Sequence, residues 1–526
     1  MSAGTAQLPA SELTAAAAWK PRANPWLITV AVMLGTFMEV LDTSVANVSL
    51  PHIAGNLAAS LDESTWVLTS YLVSNAIVLP ATGWLSRTFG RKNFLVFCVF
   101  LFTFASFLCG AATSLPFLVA ARVLQGVGGG ALQPIAQAIM LESFPLSKRG
   151  VAMAAYTLGI VFAPIIGPTL GGWITDNYSW RWVFYINIPV GALAVFMIWS
   201  LIEDPPHIKN AVMTKIDYWG FGLLALWLST FQIVLDKGQQ DDWFGAVWIR
   251  WFSLISVLAF IGFVTRELMA KEPIVNLRVL KNRNLLSGVT VATIAGMVMY
   301  GTTALIPEYL QGAMGYTALQ SGLTVSPRGL GSITAILLVS RLVGKVDGRF
   351  LITAALVLLA YSSWSLGMID LDVSSASITW PIILNGAAIS MLFVPLSVMA
   401  TATVKVEELG NATGLYSLMR NLGGSMGISL TTTLLAREAQ SHQTILAAHM
   451  TPYSPAMSAQ VYALTMGLPQ FLPRAYAILY EKLVGQSTVL AFVSNFRMMA
   501  LLSLAALPFV LMFKGVRSRG GVMEVH

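Results

Sequence analysis

The chain has 526 residues, of which 56% are apolar and only 10% charged, with a mean hydropathy of +0.71. A soluble domain is about 25% charged, so this composition excludes a water-exposed globular surface, a disordered chain and a secreted disulfide scaffold. The net charge of +7 reads as basic loops of a polytopic membrane protein rather than as a nucleic-acid surface.

Residues 1–25 are polar, with Lys20, Pro21, Arg22 and Pro25, and lack the apolar core of a signal peptide. They read as a cytoplasmic N-terminal tail. From Trp26, apolar runs long enough to cross a bilayer recur at 26–50, 65–85, 93–113, 116–141, 151–174, 183–202, 218–236, 246–268, 285–306, 321–341, 350–369, 379–400, 411–435 and 489–513. The pattern predicts about fourteen helices, and the unbroken runs exclude a β-barrel. Cys98 and Cys109 share one run, ~16 Å apart along a helix axis. A disulfide needs Cα atoms within about 7 Å, so both are free thiols.

Basic clusters fix an orientation. Arg87/Arg91/Lys92, Lys148/Arg149, Arg266/Lys271/Arg278/Lys281/Arg283, Arg341/Lys345/Arg349 and Lys514/Arg517/Arg519 fall on alternate loops, which places both termini inside. The organisation expected is all-α. A six-helix bundle spans 26–202, and 203–284 holds a polar linker with two additional helices. A second six-helix bundle spans 285–513, and 514–526 is a cytoplasmic tail. The sequences GWLSRTFGRK at 83–92 and SRLVGKVDGR at 340–349 echo one another as basic turns, the mark of a transporter built from two related bundles. Residues 436–488 read as one long periplasmic loop with an amphipathic start, Arg437 to Met450. Pro452, Pro455, Pro469 and Pro473 then interrupt it.

Enzyme signatures are missing. No GxxxxGK[ST] loop is present, and His52, His207, His442, His449 and His526 make no metal-binding spacing. Gly423-Gly424-Ser425-Met426-Gly427 matches GxSxG, but that motif needs a strand–turn–helix setting. Inside a spanning helix it reads as close packing through small residues. No cofactor or metal is called for, and the work must come from an ion gradient.

Charge inside the spans is informative. Glu39 and Asp42 share one face of the first helix, ~20 and ~24 Å along the axis from Trp26. A carboxylate there is costly unless paired, hydrated or protonated, which marks Asp42 as a proton site and Glu39 as a second coupling or cavity acid. Arg122 in the fourth span cannot readily lose its charge and needs a partner. Arg328, Arg420 and Arg497 lie at membrane depth, and Glu308 borders the ninth span. The fifth span, GIVFAPIIGPTLGG from Gly159 to Gly172, carries two prolines and four glycines and reads as a bendable helix at an interface that rocks.

At these residues the sequence resembles the major facilitator superfamily, in its fourteen-helix drug:proton antiporter branch of EmrB/QacA type. LDTSVANVSLP (Leu41 to Pro51) resembles the branch's first-helix motif. LVAARVLQGVGGG (Leu118 to Gly130) matches the fourth-helix motif, with Arg122, Gln125 and Gly126 in register. APIIGPTLGG matches the antiporter motif, WRWVFYINIPVG (Trp180 to Gly191) is typical, and LDKGQQDDWF (Leu235 to Phe244) resembles EmrB-type pumps. The loop motif G-x-L-a-D-r-x-G-r-k is matched at Gly83, Leu85, Gly90, Arg91 and Lys92, but its acidic position is Arg87. The charge lock between halves assigned to that acid therefore does not carry over.

The resemblance implies proton-coupled multidrug efflux by alternating access, in a bacterial inner membrane. The permease would hand hydrophobic, drug-like substrates to a periplasmic adaptor of EmrA type and an outer-membrane channel, with no nucleic acid partner. Asp42, Arg122 and Glu39 would couple protons. Glu39, Asn47, Gln125, Glu308, Arg328 and Arg420 would line the substrate cavity. Gly83, Arg87, Gly90, Arg91, Lys92, Gly126, Pro164, Gly167, Pro168, Gly171 and Gly172 would carry the conformational motifs. The alternatives are a stand-alone QacA-type exporter and an uptake carrier for a metabolite or siderophore, which the antiporter motif disfavours. A membrane-embedded hydrolase would rest on GGSMG alone.

Overall fold

The computed structural model describes residues 21–144, 148–204, 217–270, 273–342, 346–368, 375–404, 408–451, 453–466, 468–514, 516–519 and 522–525. Most of the N-terminal tail and of the linker at 203–216 lies outside the described residues. Helix α1 begins where Asn24 caps it, its side chain accepting from Trp26 N at 2.9 Å, with Pro25 at a position where a missing N–H costs nothing. It runs Pro25–Asn56. Helix α2 is Trp66–Phe89 and α3 is Arg91–Gly110. Between them Gly90 adopts φ +82°, a turn that an L side chain resists. The fourth span comes in two pieces, α4a (Leu115–Gly129) and α4b (Leu132–Ser143). Helices α5 (Arg149–Asn177) and α6 (Asn187–Leu201) complete the first bundle.

Two further helices follow, α7 (Tyr218–Lys237) and α8 (Val247–Met269). The second bundle is α9 (Arg283–Glu308), α10a (Ala318–Val325) with α10b (Arg328–Leu342), α11 (Gly348–Leu366), α12 (Ser375–Thr401), α13 (Leu409–His449) and α14 (Leu472–Ala505). A short antiparallel hairpin pairs Val516–Arg519 with Val522–Val525 near the C-terminus.

Among the described residues, 12 helical spans are long and apolar enough to cross a membrane. Helices α2 and α13 form over the expected second and thirteenth runs but are not among those 12. The reason is composition. Helix α2 buries Thr69, Ser70, Ser74, Asn75, Thr82 and Ser86, and α13 carries Arg420 and Asn421. These polar groups are covered by protein rather than lipid. The apolar residues of α2 and α13, including Leu79, Leu415, Leu418 and Leu422, share one cluster with Leu224 and Leu228 of α7 and Phe263 of α8. The two bundles therefore meet through α2 and α13, with the inserted pair laid against both. They meet again through α5 and α10a, where a Cβ on Gly322 would come within 3.0 Å of Thr169 Oγ1.

Opposite ends of the first bundle are tied by different polar contacts. At one end Arg91 pairs with Glu142, and Lys92 N donates to Asp204 at 2.9 Å. At the other, Arg181 donates to Asn56 Oδ1 and to the Ala112 carbonyl, each at 3.0 Å.

The expected long loop at 436–488 is instead largely helical. Helix α13 continues to His449, a short helix covers Pro455–Thr465, and α14 starts at Leu472. The prolines were misread as breakers: Pro455 and Pro473 occupy first-turn positions, which proline favours. The continuations of α13 and α14 touch where Gln443 Nε2 donates to Tyr480 Oη at 3.3 Å. At 1.5 Å per residue the extension of α13 past residue 435 is ~21 Å long.

Apolar burial does little to hold helices together in lipid, so packing depends on small residues that let backbones approach. GGSMG serves that purpose. Gly423, Gly424 and Gly427 press α13 against Thr293, Tyr300 and Met297 of α9, and Ser425 Oγ donates to the Asn421 carbonyl at 3.3 Å within its own helix. A Cβ on Gly427 would lie 2.6 Å from Met297 Cα, whereas Gly414 on the same helix has nothing within 4 Å. Gly427→Ala is therefore expected to lower the thermal midpoint of the purified protein, and Gly414→Ala is not. Equal midpoints would show that the glycine seam is not what holds α13.

Candidate functional site: a buried ion pair in the first bundle

Glycines set the depth of the site. Gly126, Gly129 and Gly130 bring α4a against Tyr71 and Asn75 of α2, and Gly128 brings it against Phe102 of α3. That approach carries Arg122 into the middle of the bundle. Its Nη1 donates to Asp42 Oδ2 at 2.6 Å, and neither side chain is exposed to solvent. The guanidinium also donates from Nη1 to Gln125 Oε1 at 2.7 Å and from Nε to the Val67 carbonyl at 2.8 Å. It lies over the rings of Tyr71, at 4.3 Å, and Phe184, at 5.7 Å.

Asp42 is held from both sides. Its Oδ1 accepts from Gln125 Nε2 at 2.9 Å and from Asn187 Nδ2 at 2.8 Å. Ser106 Oγ accepts from the same two amides, at 2.7 and 2.9 Å. Five helices thus contribute: α1, α2, α3, α4a and α6. Gln125, expected to line a cavity, is instead locked into this network with no exposed surface. Asn187 and Ser106 were not singled out in the sequence. Their signal is a buried polar residue inside an apolar run, in the case of Asn187 within the segment WRWVFYINIPVG.

Glu39 sits one helical turn away in a second polar group. Asn75 Nδ2 donates to its Oε1 at 3.2 Å, and the Gln133 amide stands beside it. Arg420 of α13 donates to Gln133 Oε1 at 3.3 Å, so this group crosses from one bundle to the other. The remaining expected cavity residues lie elsewhere. Asn47 is exposed on α1. Arg328 donates to Thr303 Oγ1 at 2.8 Å. Glu308 is exposed where α9 passes into a π-turn at Tyr309–Ala313 and forms no ion pair among the described residues.

The conformational motifs separate into two kinds. Around the first basic turn, Arg91 meets Glu142 and Lys92 Nζ lies 5.2 Å from the Trp199 ring centre. A Cβ on Gly90 would meet Asp204 Oδ2 at 2.6 Å, and Gly83 lends its carbonyl to Ser86 at 3.2 Å. These contacts stay within the first bundle; the Arg87 side chain lies outside the described residues. In α5 the helix runs unbroken through Pro164 and Pro168. Gly167 and Gly171 pack on Ser44 and Val45 of α1, and Gly172 is buried. The glycine face of α5 therefore serves its own bundle rather than the interface expected of it. The interface is met by Pro168 and Thr169, against Gly322.

Comparison with known proteins accords with this geometry. The model of the Major Facilitator Superfamily matches residues 32–428. The multidrug export protein EmrB of Escherichia coli is 34% identical over 94% of this chain and 96% of its own. The fatty acid resistance protein FarB of Neisseria gonorrhoeae is 36% identical over 83% of this chain and 85% of its own. Among solved structures, the human organic anion transporter MFSD10 superposes with a TM-score of 0.61 at 12% identity, covering 93% of this chain and all 100% of that one. The xylose transporter XylE of Escherichia coli gives 0.58 at 14% identity, over 93% and 97%. These two report the fold. The chain belongs to the Major Facilitator Superfamily, as a multi-pass secondary transporter homologous to multidrug exporters and not an enzyme.

Proposed function

We propose that this transporter is a drug:proton antiporter that expels hydrophobic compounds by alternating access. The observation that carries the reading is the fully buried Arg122–Asp42 pair. A carboxylate that accepts from a guanidinium on one oxygen and from two amides on the other is matched to its charged form. A proton arriving at Asp42 removes that charge and weakens the guanidinium bond, leaving Arg122 as an uncompensated buried cation. Buried charge left unpaired is strongly unfavourable, so protonation favours a rearrangement of α1 against α4a. Each charge moved down a 100 mV potential supplies about 2.3 kcal/mol. The homology to EmrB and FarB supports drug-like cargo and outward direction.

Helices α2 and α13 complete fourteen spans in this reading, which returns both termini to the cytoplasmic side. The helical extensions of α13 and α14 then project on the periplasmic side and supply the docking element for an adaptor of EmrA type, which passes substrate to an outer-membrane channel.

Asp42→Asn keeps the shape and hydrogen bonding but cannot titrate. It is expected to abolish export driven by a pH gradient in proteoliposomes while the folded protein still binds substrate. Normal proton flux and drug gradient in that variant would make Asp42 structural. For the docking element, removing residues from about 440 to 480 is expected to leave membrane insertion intact and to reduce resistance in a Gram-negative host. Unchanged resistance would identify a stand-alone exporter.

A further inference from the structure

Between the two bundles, the Glu39 group contains a feature that proton coupling does not use. Gln133 of α4b presents its carbonyl to Arg420 Nη2 at 3.3 Å. An amide has one accepting and one donating half, and Glu39 stands on the other side of it. The amide thus separates an acid of the first bundle from a base of the second. On either flank a polar atom is left over. Glu39 Oε2 and Arg420 Nε are both buried and without hydrogen-bond partners among the described residues, as is the Tyr416 hydroxyl. Glu39 is only 7% exposed. Tyr156 and Tyr416 are both within electrostatic reach of Arg420, and the Phe393 ring centre is 5.7 Å from its guanidinium. Buried polar atoms in proteins are nearly always satisfied, so two opposite orphans beside aromatic walls point to an absent ligand.

The geometry points to a binding site for amphoteric compounds: molecules with an apolar, aromatic body that carry a basic amine and an acidic group. The amine meets Glu39, the acid meets Arg420, and the Gln133 amide, which offers a donor to one and an acceptor to the other, holds the place when no ligand is bound. A compound with only one of the two groups leaves the opposite side chain buried and unanswered. That is a penalty against simple cations and simple anions alike. Because Glu39 belongs to one bundle and Arg420 to the other, the ligand bridges the parts that must move apart. The inference names the substrate class of the exporter proposed above and rests on that reading for the site's opening to each side.

The test uses three compounds with one aromatic body: an arylpiperazine carboxylic acid, its methyl ester, and its N-acetyl derivative. Equilibrium dialysis against the full-length protein in lipid nanodiscs, with no gradient, gives their affinities. The parent is expected to bind at least about tenfold more tightly than either derivative, the size of one charge-assisted bond. Glu39→Gln should bring the parent down to the level of the N-acetyl derivative and leave that derivative unchanged. Arg420→Gln should bring it down to the level of the ester and leave the ester unchanged. Glu39→Asp and Arg420→Lys, which keep the charges, should retain the preference. Equal affinity for all three compounds would overturn the site, and so would an equal loss for all three in Glu39→Gln. The preference persisting in a protein that transports nothing under a pH gradient would overturn the antiport reading and not the site.

Discussion

A guanidinium cannot shed its charge inside a bilayer, and the first bundle is assembled around that constraint. Arg122 has to be met by a carboxylate and by carbonyl oxygens, and those groups come from separate helices: Asp42 from α1, the Val67 carbonyl from α2 and Gln125 from α4a itself. Ser106 of α3 and Asn187 of α6 hold the amides and Asp42 in place. The same contacts that neutralise the charge therefore fix how five helices pack. Removing one member of such a pair costs about 3–5 kcal/mol, so function and stability draw on the same residues. The glycines of α4a matter for this reason: without their close approach to α2 the guanidinium would not reach its partners.

The two bundles share a fold but not a charge plan. The second bundle has membrane-depth cations in Arg328, Arg420 and Arg497, and none forms an ion pair among the described residues. Arg328 uses Thr303, while Arg497 uses the Gly367 carbonyl at 3.2 Å and the Trp364 ring. Arg420 reaches across to Gln133. Buried acid is concentrated on one face of α1. A proton-linked event therefore begins in the first bundle and is felt by the second through the seam of α2, α4b and α13.

Much of this was legible in the sequence because charge in an apolar run is expensive and so stands out. Asp42 and Arg122 were visible individually, and their pairing required only that α1 and α4a face each other. Helix number and order also followed from run length. Neutral polar residues were harder. Asn75, Ser106, Gln133 and Asn187 cost less to bury than a charge, and many such residues in these helices, such as Ser74 and Ser487, merely donate to their own backbone. Nothing local distinguishes the two kinds. The segment 436–488 was misjudged for a different reason. Proline breaks a helix in its interior and starts one at its first turn, and the residue alone does not say which. The role of α5 was misplaced because glycine signals close approach without naming the neighbour.

The inserted pair α7 and α8 was predicted as an addition, and its position makes it a strut. Three consecutive residues at the end of α7 face different partners. The Leu235 carbonyl accepts from Ser429 of α13 at 2.7 Å. Asp236 accepts from Thr69 of α2 at 2.6 Å. Lys237 donates to Thr65 at 3.0 Å and lies over the Trp66 ring. One short stretch of the LDKGQQDDWF motif thus holds the end of α2 and the middle of α13 together. A single neutral hydrogen bond is worth about 1 kcal/mol, and only Ser429 ties α7 to the second bundle by a printed polar contact, whereas two residues and a ring tie it to the first. When α2 and α13 separate at that level, the weaker attachment gives way and α7 travels with α2. The asymmetry of three contacts makes the inserted pair part of the first bundle's moving body, held to the second only by the Ser429 bond and the apolar cluster below it.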